Sequence, residues 1–142
     1  MVLERFHLVS PGQSRTVNAQ KGLLTMGLSY IEGTVTGPSG VSRSVEFLID
    51  SGAIYTCLPR EIWQALGLQP ARSSRFVLAD GTPIERNVSE CLLSIPQGSA
   101  HTPVVLGEAG DATLLGVVTL EEMGLVFNPF NRTLQPMRMM MA

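Results

Sequence analysis

The sequence predicts an all-β fold, a small closed β-barrel with one or two short helices. Composition is the first indication, since 15% of the 142 residues are charged while 14 are glycine and 9 are proline. The second is the pattern, because short apolar runs alternate with clusters of turn-forming residues along the chain. Many short strands at such spacing are typical of barrels. A chain of this length is long enough for one domain with a buried core.

β-Branched and alternating segments predict the strands, and turn clusters separate them. Thr36-Gly37-Pro38-Ser39-Gly40 predicts the turn of a first hairpin, and Asp80-Gly81 predicts the turn of a later one. The predicted strands cover residues 26–36, 41–49, 55–58, 75–78, 82–88, 90–95, 102–106, 125–127 and 133–134. An apolar run over residues 114–118 is expected in the core.

Two short helices are predicted between the strands. Pro59 fits the first residue of one helix because its ring fixes a helical φ, and Gly67 ends that helix. Thr119 is the predicted N-cap of the other helix, with Glu122 at capping-box spacing and Gly124 at the end. Residues 1–22 are expected to form a partly flexible N-terminal segment, residues 23–136 the domain, and residues 137–142 a Met-rich tail.

Charge and hydropathy exclude several classes of partner. Ten basic and twelve acidic residues give a net charge of −2, and no basic stripe predicts nucleic-acid binding. No apolar run is long enough to predict a membrane span, and the acidic N-terminus does not resemble a secretory signal. We therefore expect a cytoplasmic protein. Cys57 and Cys91 lack metal-ligand spacing; a disulfide remains possible, although reduced buried thiols are favoured.

Residues 47–53 carry the strongest functional signal. Phe47-Leu48-Ile49 leads into Asp50-Ser51-Gly52-Ala53, so an apolar strand delivers one carboxylate into a tight, partly buried turn. Burying a carboxylate is costly unless it has a structural partner or a chemical task. Asp-Ser-Gly is also ordinary turn chemistry, and a purely structural Asp50 is the competing interpretation.

Three features in this order resemble the retropepsin-like aspartic proteases, including the aspartyl proteases predicted from bacterial genomes. The first is the Asp50-Ser51-Gly52-Ala53 turn, and the second is a hairpin over residues 77–84 that resembles the substrate-covering flap. The third is Leu114-Leu115-Gly116 followed by a short helix. The resemblance covers residues 45–136, although a flap with one glycine departs from the glycine-rich viral flaps.

The resemblance implies a homodimer, because each chain has the motif once and supplies one half-site. Asp50, Ser51 and Gly52 would form the catalytic turn, with Asp50 of each subunit activating a water molecule. The Ser51 hydroxyl would form a hydrogen bond across the dimer to the backbone of the opposite turn. The expected substrate is a peptide or protein, held by Ala53, Ala79, Asp80 and Gly81, and neither a cofactor nor a metal is implied.

Other interpretations remain open at this stage. A barrel of the same fold could bind peptides or mediate dimerisation without catalysis, and the chain could be one domain of a larger protein. Asp111 follows a Glu-Ala-Gly turn and is interpreted as solvated surface. His7 and His101 lie in contexts that do not favour a serine nucleophile at Ser51.

Overall fold

The computed structural model describes residues 28–78 and 80–138. Predictions for residues 1–27, for Ala79 and for residues 139–142 therefore lie outside the described residues. The strands are β1 (Ser29–Thr36), β2 (Ser42–Ile49), β3 (Thr56–Leu58), β4 (Arg72–Val77), β5 (Pro83–Ile95), β6 (Gly98–Leu106), β7 (Leu114–Leu115), β8 (Leu125–Asn128) and β9 (Thr133–Pro136). The helices are α1 (Arg60–Ala65) and α2 (Val117–Glu122). The all-β prediction is confirmed.

Seven strands form one sheet in the order β1-β2-β7-β3-β6-β5-β4. β1 also pairs with β5 from Thr34 to Thr36, and this second pairing closes the sheet into a ring. β4 pairs with β5 and extends from the ring as a hairpin, whereas β8 and β9 form a separate two-stranded sheet. Closing the sheet protects strand edges that would otherwise be open to other chains.

The position of β7 explains how the fold presents the Asp50 turn. β2 ends at Ile49 and runs parallel to β7, while β3 pairs with β7 from its other side. The chain from 50 to 55 therefore leaves the sheet on one side of β7 and returns on the other. The turn is held at both ends by the same two-residue strand.

Two buried apolar clusters occupy the interior. The larger one fills the ring and includes Phe47, Leu93 and Leu115, each fully buried. The smaller one lies between the Asp50 turn and the β4–β5 hairpin. Its buried members are Leu48, Ala53, Cys57, Leu78, Val105, Ala112 and Leu114.

Some predicted boundaries are wrong, for local physical reasons. β5 is one strand of 13 residues rather than two, because it pairs with β6 from Asn87 to Ile95 while β4 and β1 pair with successive parts of its other edge. Pro59 is the N-cap of α1, so the helix begins at Arg60, one residue after the predicted start. Thr119 is not the N-cap of α2; Gly116 takes that position, and Thr119 lies buried inside the helix.

Candidate active site

Asp50 lies in a tight turn at the end of β2. It is 3% exposed, and the Gly52 amide donates a 2.9 Å hydrogen bond to its Oδ1. The Ala53 amide donates to the Asp50 carbonyl oxygen at 2.9 Å, which closes the turn. Ser51 is exposed, Gly52 is half-buried and Ala53 is fully buried. Gly52 is not among the residues with positive φ, so the turn does not require a glycine here for a left-handed backbone conformation.

The start of α2 packs directly behind this turn. The amides of Val117 and Val118 donate to the carbonyl oxygens of Ala53 and Ile54 at 2.8 and 2.9 Å. The first amides of a helix have no partner within the helix, and here the turn satisfies two of them. Because both ends of the turn contact β7 and its middle contacts α2, the backbone around Asp50 has little freedom to move.

Gly116 makes this close approach possible. A Cβ atom at this position would lie 2.4 Å from the Tyr55 carbonyl carbon and 2.7 Å from both Ile54 O and Thr56 N. All three are backbone atoms, so a side chain would have to push α2 away from the turn. The apolar-apolar-Gly pattern of residues 114–116 therefore has a packing reason.

Three threonines missed by the sequence analysis lie behind the turn. Thr56, Thr102 and Thr119 are at most 1% exposed, and their hydroxyl groups form a chain of hydrogen bonds. Each comes from a different element, β3, β6 and α2. No local pattern could have found them, because threonine in a strand is ordinary and Thr119 matched a capping motif instead.

The β4–β5 hairpin has the predicted Asp-Gly turn at its tip. Leu78 N donates to Thr82 O at 2.8 Å, Gly81 N donates to Leu78 O at 2.8 Å, and the Asp80 carboxylate accepts from Thr82 N at 2.9 Å. Gly81 has φ +90°, a conformation that other residues adopt only with strain. Ala79 lies outside the described residues, so its predicted role stays a prediction.

The hairpin and the Asp50 turn meet through apolar side chains. Leu78 belongs to the same buried cluster as Ala53, and Tyr55, Phe76 and Ile84 pack against it while half-buried. The rings of Tyr55 and Phe76 meet edge to face, with centroids 6.1 Å apart. The residues that flank the turn of the hairpin thus contact the residues that follow Asp50, while Asp80 and Gly81 within the turn are exposed.

The prediction that Asp111 is a solvated surface residue is wrong, because its side chain is largely buried in an ion pair. Its Oδ2 lies 3.5 Å from Arg86 Nε, and both side chains are largely buried, at 14% and 16% exposed. The same oxygen accepts a 2.7 Å hydrogen bond from the Glu108 amide. This ion pair ties the hairpin strand β5 to the loop that leads into β7.

Cys57 and Cys91 are both buried free thiols, so the structure has the reduced thiols that the sequence favoured and not a disulfide. Burial raises the pKa of the Cys91 thiol to about 12, with a smaller contribution from Glu90. Burial also raises the pKa of Cys57, and Asp111 adds to the effect while Arg86 opposes it. A thiol that stays protonated is a poor nucleophile or metal ligand, so neither cysteine suits catalysis.

Exposed apolar side chains lie next to the Asp50 turn. Ile54 is 56% exposed immediately after the fully buried Ala53, and Val126 on β8 is 46% exposed. Beside Ser51 lies a small cavity of about 110 Å³ whose wall includes Val117, Val126 and Met137. Exposed apolar groups beside a polar turn are compatible with a surface that another molecule covers.

Within residues 28–78 and 80–138, no group of three or more His, Cys, Asp or Glu side chains could hold a metal ion. Among the same residues, the structure contains no helix with the length and hydropathy of a membrane span.

No curated protein matches the sequence. Residues 39–122, which include the Asp50 turn, the β4–β5 hairpin, β7 and α2, match the family described as gag-polyprotein putative aspartyl protease. Since this match spans more than half of the 142 residues, the chain belongs to that retropepsin-like family.

Proposed function

We propose that the protein is a homodimeric aspartic endopeptidase in which Asp50 from each of two subunits forms the catalytic pair. The observation that carries this proposal is the buried Asp50 in a turn held by β7 and α2, in a chain of an aspartyl protease family. A fixed carboxylate is what such catalysis needs, because a positioned group reacts without first being ordered.

Peptide hydrolysis then uses two carboxylates and one water molecule. Two carboxylates about 3 Å apart do not both ionise, so the pair holds one proton. The ionised carboxylate takes a proton from water as the water attacks the peptide carbonyl carbon, and the protonated one donates to the carbonyl oxygen. The tetrahedral intermediate collapses with proton transfer to the leaving amine.

The second carboxylate would come from a second copy of the chain. A two-fold axis brings the same turn of both subunits to one place, which makes the interface self-complementary. The exposed Ser51, the 56% exposed Ile54 and the apolar cavity beside Ser51 support an interface at this face. In such a dimer, each Ser51 hydroxyl would bond to the opposite turn.

The hairpin would cover an extended peptide bound over the catalytic pair. Its tip, Asp80 and Gly81, is exposed and lies beyond the last paired residues of β4 and β5. Exposed backbone N–H and C=O groups there would bind the peptide by strand addition, while the apolar side chains that flank the turn would favour apolar substrate residues. Ala53 would contribute a small wall beneath the substrate.

A subunit-mixing experiment tests the pairing of two Asp50 residues. Asp50→Asn keeps the shape of the side chain but cannot act as the general base. Wild-type and variant subunits are unfolded together, refolded in different ratios, and assayed on an unfolded protein or a peptide library across acidic and neutral pH. With half of the subunits variant, a dimeric site retains about one quarter of the activity and an independent site about one half.

The matched control is Glu90→Gln, which removes an exposed carboxylate on β5 away from the turn. Mixing with this variant should leave activity unchanged, and pepstatin should inhibit the wild type. Loss of activity in proportion to the variant fraction contradicts the two-subunit site. Stable dimers that cleave no substrate at any pH contradict the proposal as a whole and favour a peptide-binding module.

A further inference from the structure

The three buried threonines form a continuous hydrogen-bonded chain. Thr56 Oγ1 lies 2.6 Å from Thr119 Oγ1, which lies 2.7 Å from Thr102 Oγ1. The Gly116 amide donates to Thr56 Oγ1 at 3.0 Å, and Thr102 Oγ1 donates to Pro103 O at 3.4 Å. Unpaired hydroxyl groups in such a position would be costly, so the chain is stable only when every link is made.

The hydrogen bonds run in one direction along this chain. Thr102 donates to the carbonyl oxygen of Pro103, so it accepts from Thr119. Thr119 in turn accepts from Thr56, which itself accepts from the Gly116 amide. Reversing the order would leave the Thr56 proton without an acceptor among the hydrogen bonds of residues 28–78 and 80–138. One geometry therefore satisfies all three hydroxyl groups.

The central link of the chain, Thr119, lies in the part of α2 that holds the Asp50 turn. Thr119 is the third residue of α2, and the first two residues, Val117 and Val118, donate to the backbone of the turn. Apolar contacts alone would allow this short helix to slide along β3 and β6. Directional bonds from Thr119 to both strands prevent sliding and set the position of the two donor amides.

We propose that Thr119 is a positioning residue, which holds the Asp50 turn in its reactive geometry through α2 and the threonine chain. The inference deepens the proposed function and rests on it. Thr119 lies inside the protein and has no contact with substrate, so its effect is on the alignment of the carboxylate pair. Loss of the hydroxyl should therefore lower kcat and leave KM nearly unchanged.

The test compares Thr119→Val, Thr119→Ser and the matched control Thr36→Val. Valine keeps the shape and removes the hydroxyl, whereas serine keeps the hydroxyl. Thr36→Val removes a similar 2.7 Å hydroxyl pair with Ser42, at the end of the β1–β2 hairpin away from Asp50. We expect about ten- to a hundredfold lower kcat for Thr119→Val, the size of effect that a displaced catalytic group produces. Thr119→Ser should recover most of the loss, and Thr36→Val should show none.

Amide hydrogen exchange provides a second measurement that needs no activity. Thr119→Val should speed exchange at the Val117 and Val118 amides more than at core amides of β5 and β6, because the helix start is released first. If the wild type cleaves nothing, the proposed function fails, and the exchange rates alone decide whether the chain holds the turn.

Three results would overturn the inference. The first is that Thr119→Val changes neither kcat nor amide exchange. The second is a loss of kcat that Thr119→Ser does not recover. The third is a loss of kcat that is fully explained by the fraction of the variant that is unfolded. If Thr119→Val does not fold, Thr102→Val replaces it, since this change removes only the far end of the chain. The same kcat and exchange criteria then apply.

Discussion

Replacing Gly116 by alanine should destabilise the protein severely, because one methyl group would enter the space between α2 and the Asp50 turn. The added Cβ would lie 2.4 Å from the Tyr55 carbonyl carbon and 2.7 Å from Ile54 O and Thr56 N. Carbon atoms in contact are normally 3.5 Å or more apart. All three contacts are with backbone atoms of residues 54–56, so no side-chain rotation relieves them.

The size of the stability loss follows from the displacement of α2 that the added methyl group requires. Overpacking costs about 1–3 kcal/mol, and moving α2 outward weakens the two hydrogen bonds from Val117 and Val118 at about 1 kcal/mol each. The expected loss is therefore about 3–5 kcal/mol, a large part of the roughly 5–15 kcal/mol available to a domain. At about 3 °C per kcal/mol for a chain of this size, Tm should fall by about 10 °C or more.

Urea unfolding measures this loss, with the fluorescence of Trp63, the one tryptophan of the chain, as the probe. Both proteins are compared at the same subunit concentration, because dimerisation adds to apparent stability. Gly98→Ala is the matched control, since its Cβ would meet Met123 at an ordinary 3.4 Å. A Gly116→Ala free energy of unfolding within about 0.5 kcal/mol of wild type, the range of neutral surface changes, would refute the close-packing argument.

Two further predictions concern the groups around the site. Because burial raises the pKa of both thiols, Cys57 and Cys91 should react with a thiol reagent at pH 8 only as fast as the protein opens, and rapid labelling of the native protein would contradict their burial. Asp111→Asn should cost about 1–3 kcal/mol in urea unfolding, because it leaves the largely buried Arg86 without its carboxylate. Glu108→Gln, an exposed change in the same loop, is its control, and equal stability of the two variants would show that the ion pair contributes little.

Sequence reasoning could predict the strands because their signals are local. The β1–β2 hairpin has an alternating pattern and a Gly-Pro turn, and Asp80-Gly81 requires a tight reversal with positive φ at the glycine. The Asp50 turn was equally visible, since an apolar strand runs directly into Asp-Ser-Gly-Ala. In each case the residues that carry the signal are neighbours in the chain.

What the sequence could not predict depends on residues distant in the chain. Arg86 and Asp111 are 25 positions apart, so nothing near Asp111 indicates its ion pair. Thr119 matches a capping motif, but the N-cap of α2 is Gly116, three residues earlier, because the turn carbonyls of Ala53 and Ile54 accept the first amides of the helix. The threonine chain joins three elements that only the tertiary fold brings together.

The separation between the two Asp50 carboxylates in a crystal structure of the assembled protein tests the central claim most directly. We predict a two-fold dimer with the nearest carboxylate oxygens about 3 Å apart, close enough to share one proton. A protein that remains monomeric at assay concentrations, or a dimer whose Asp50 side chains face different directions, would contradict the proposed catalytic pair.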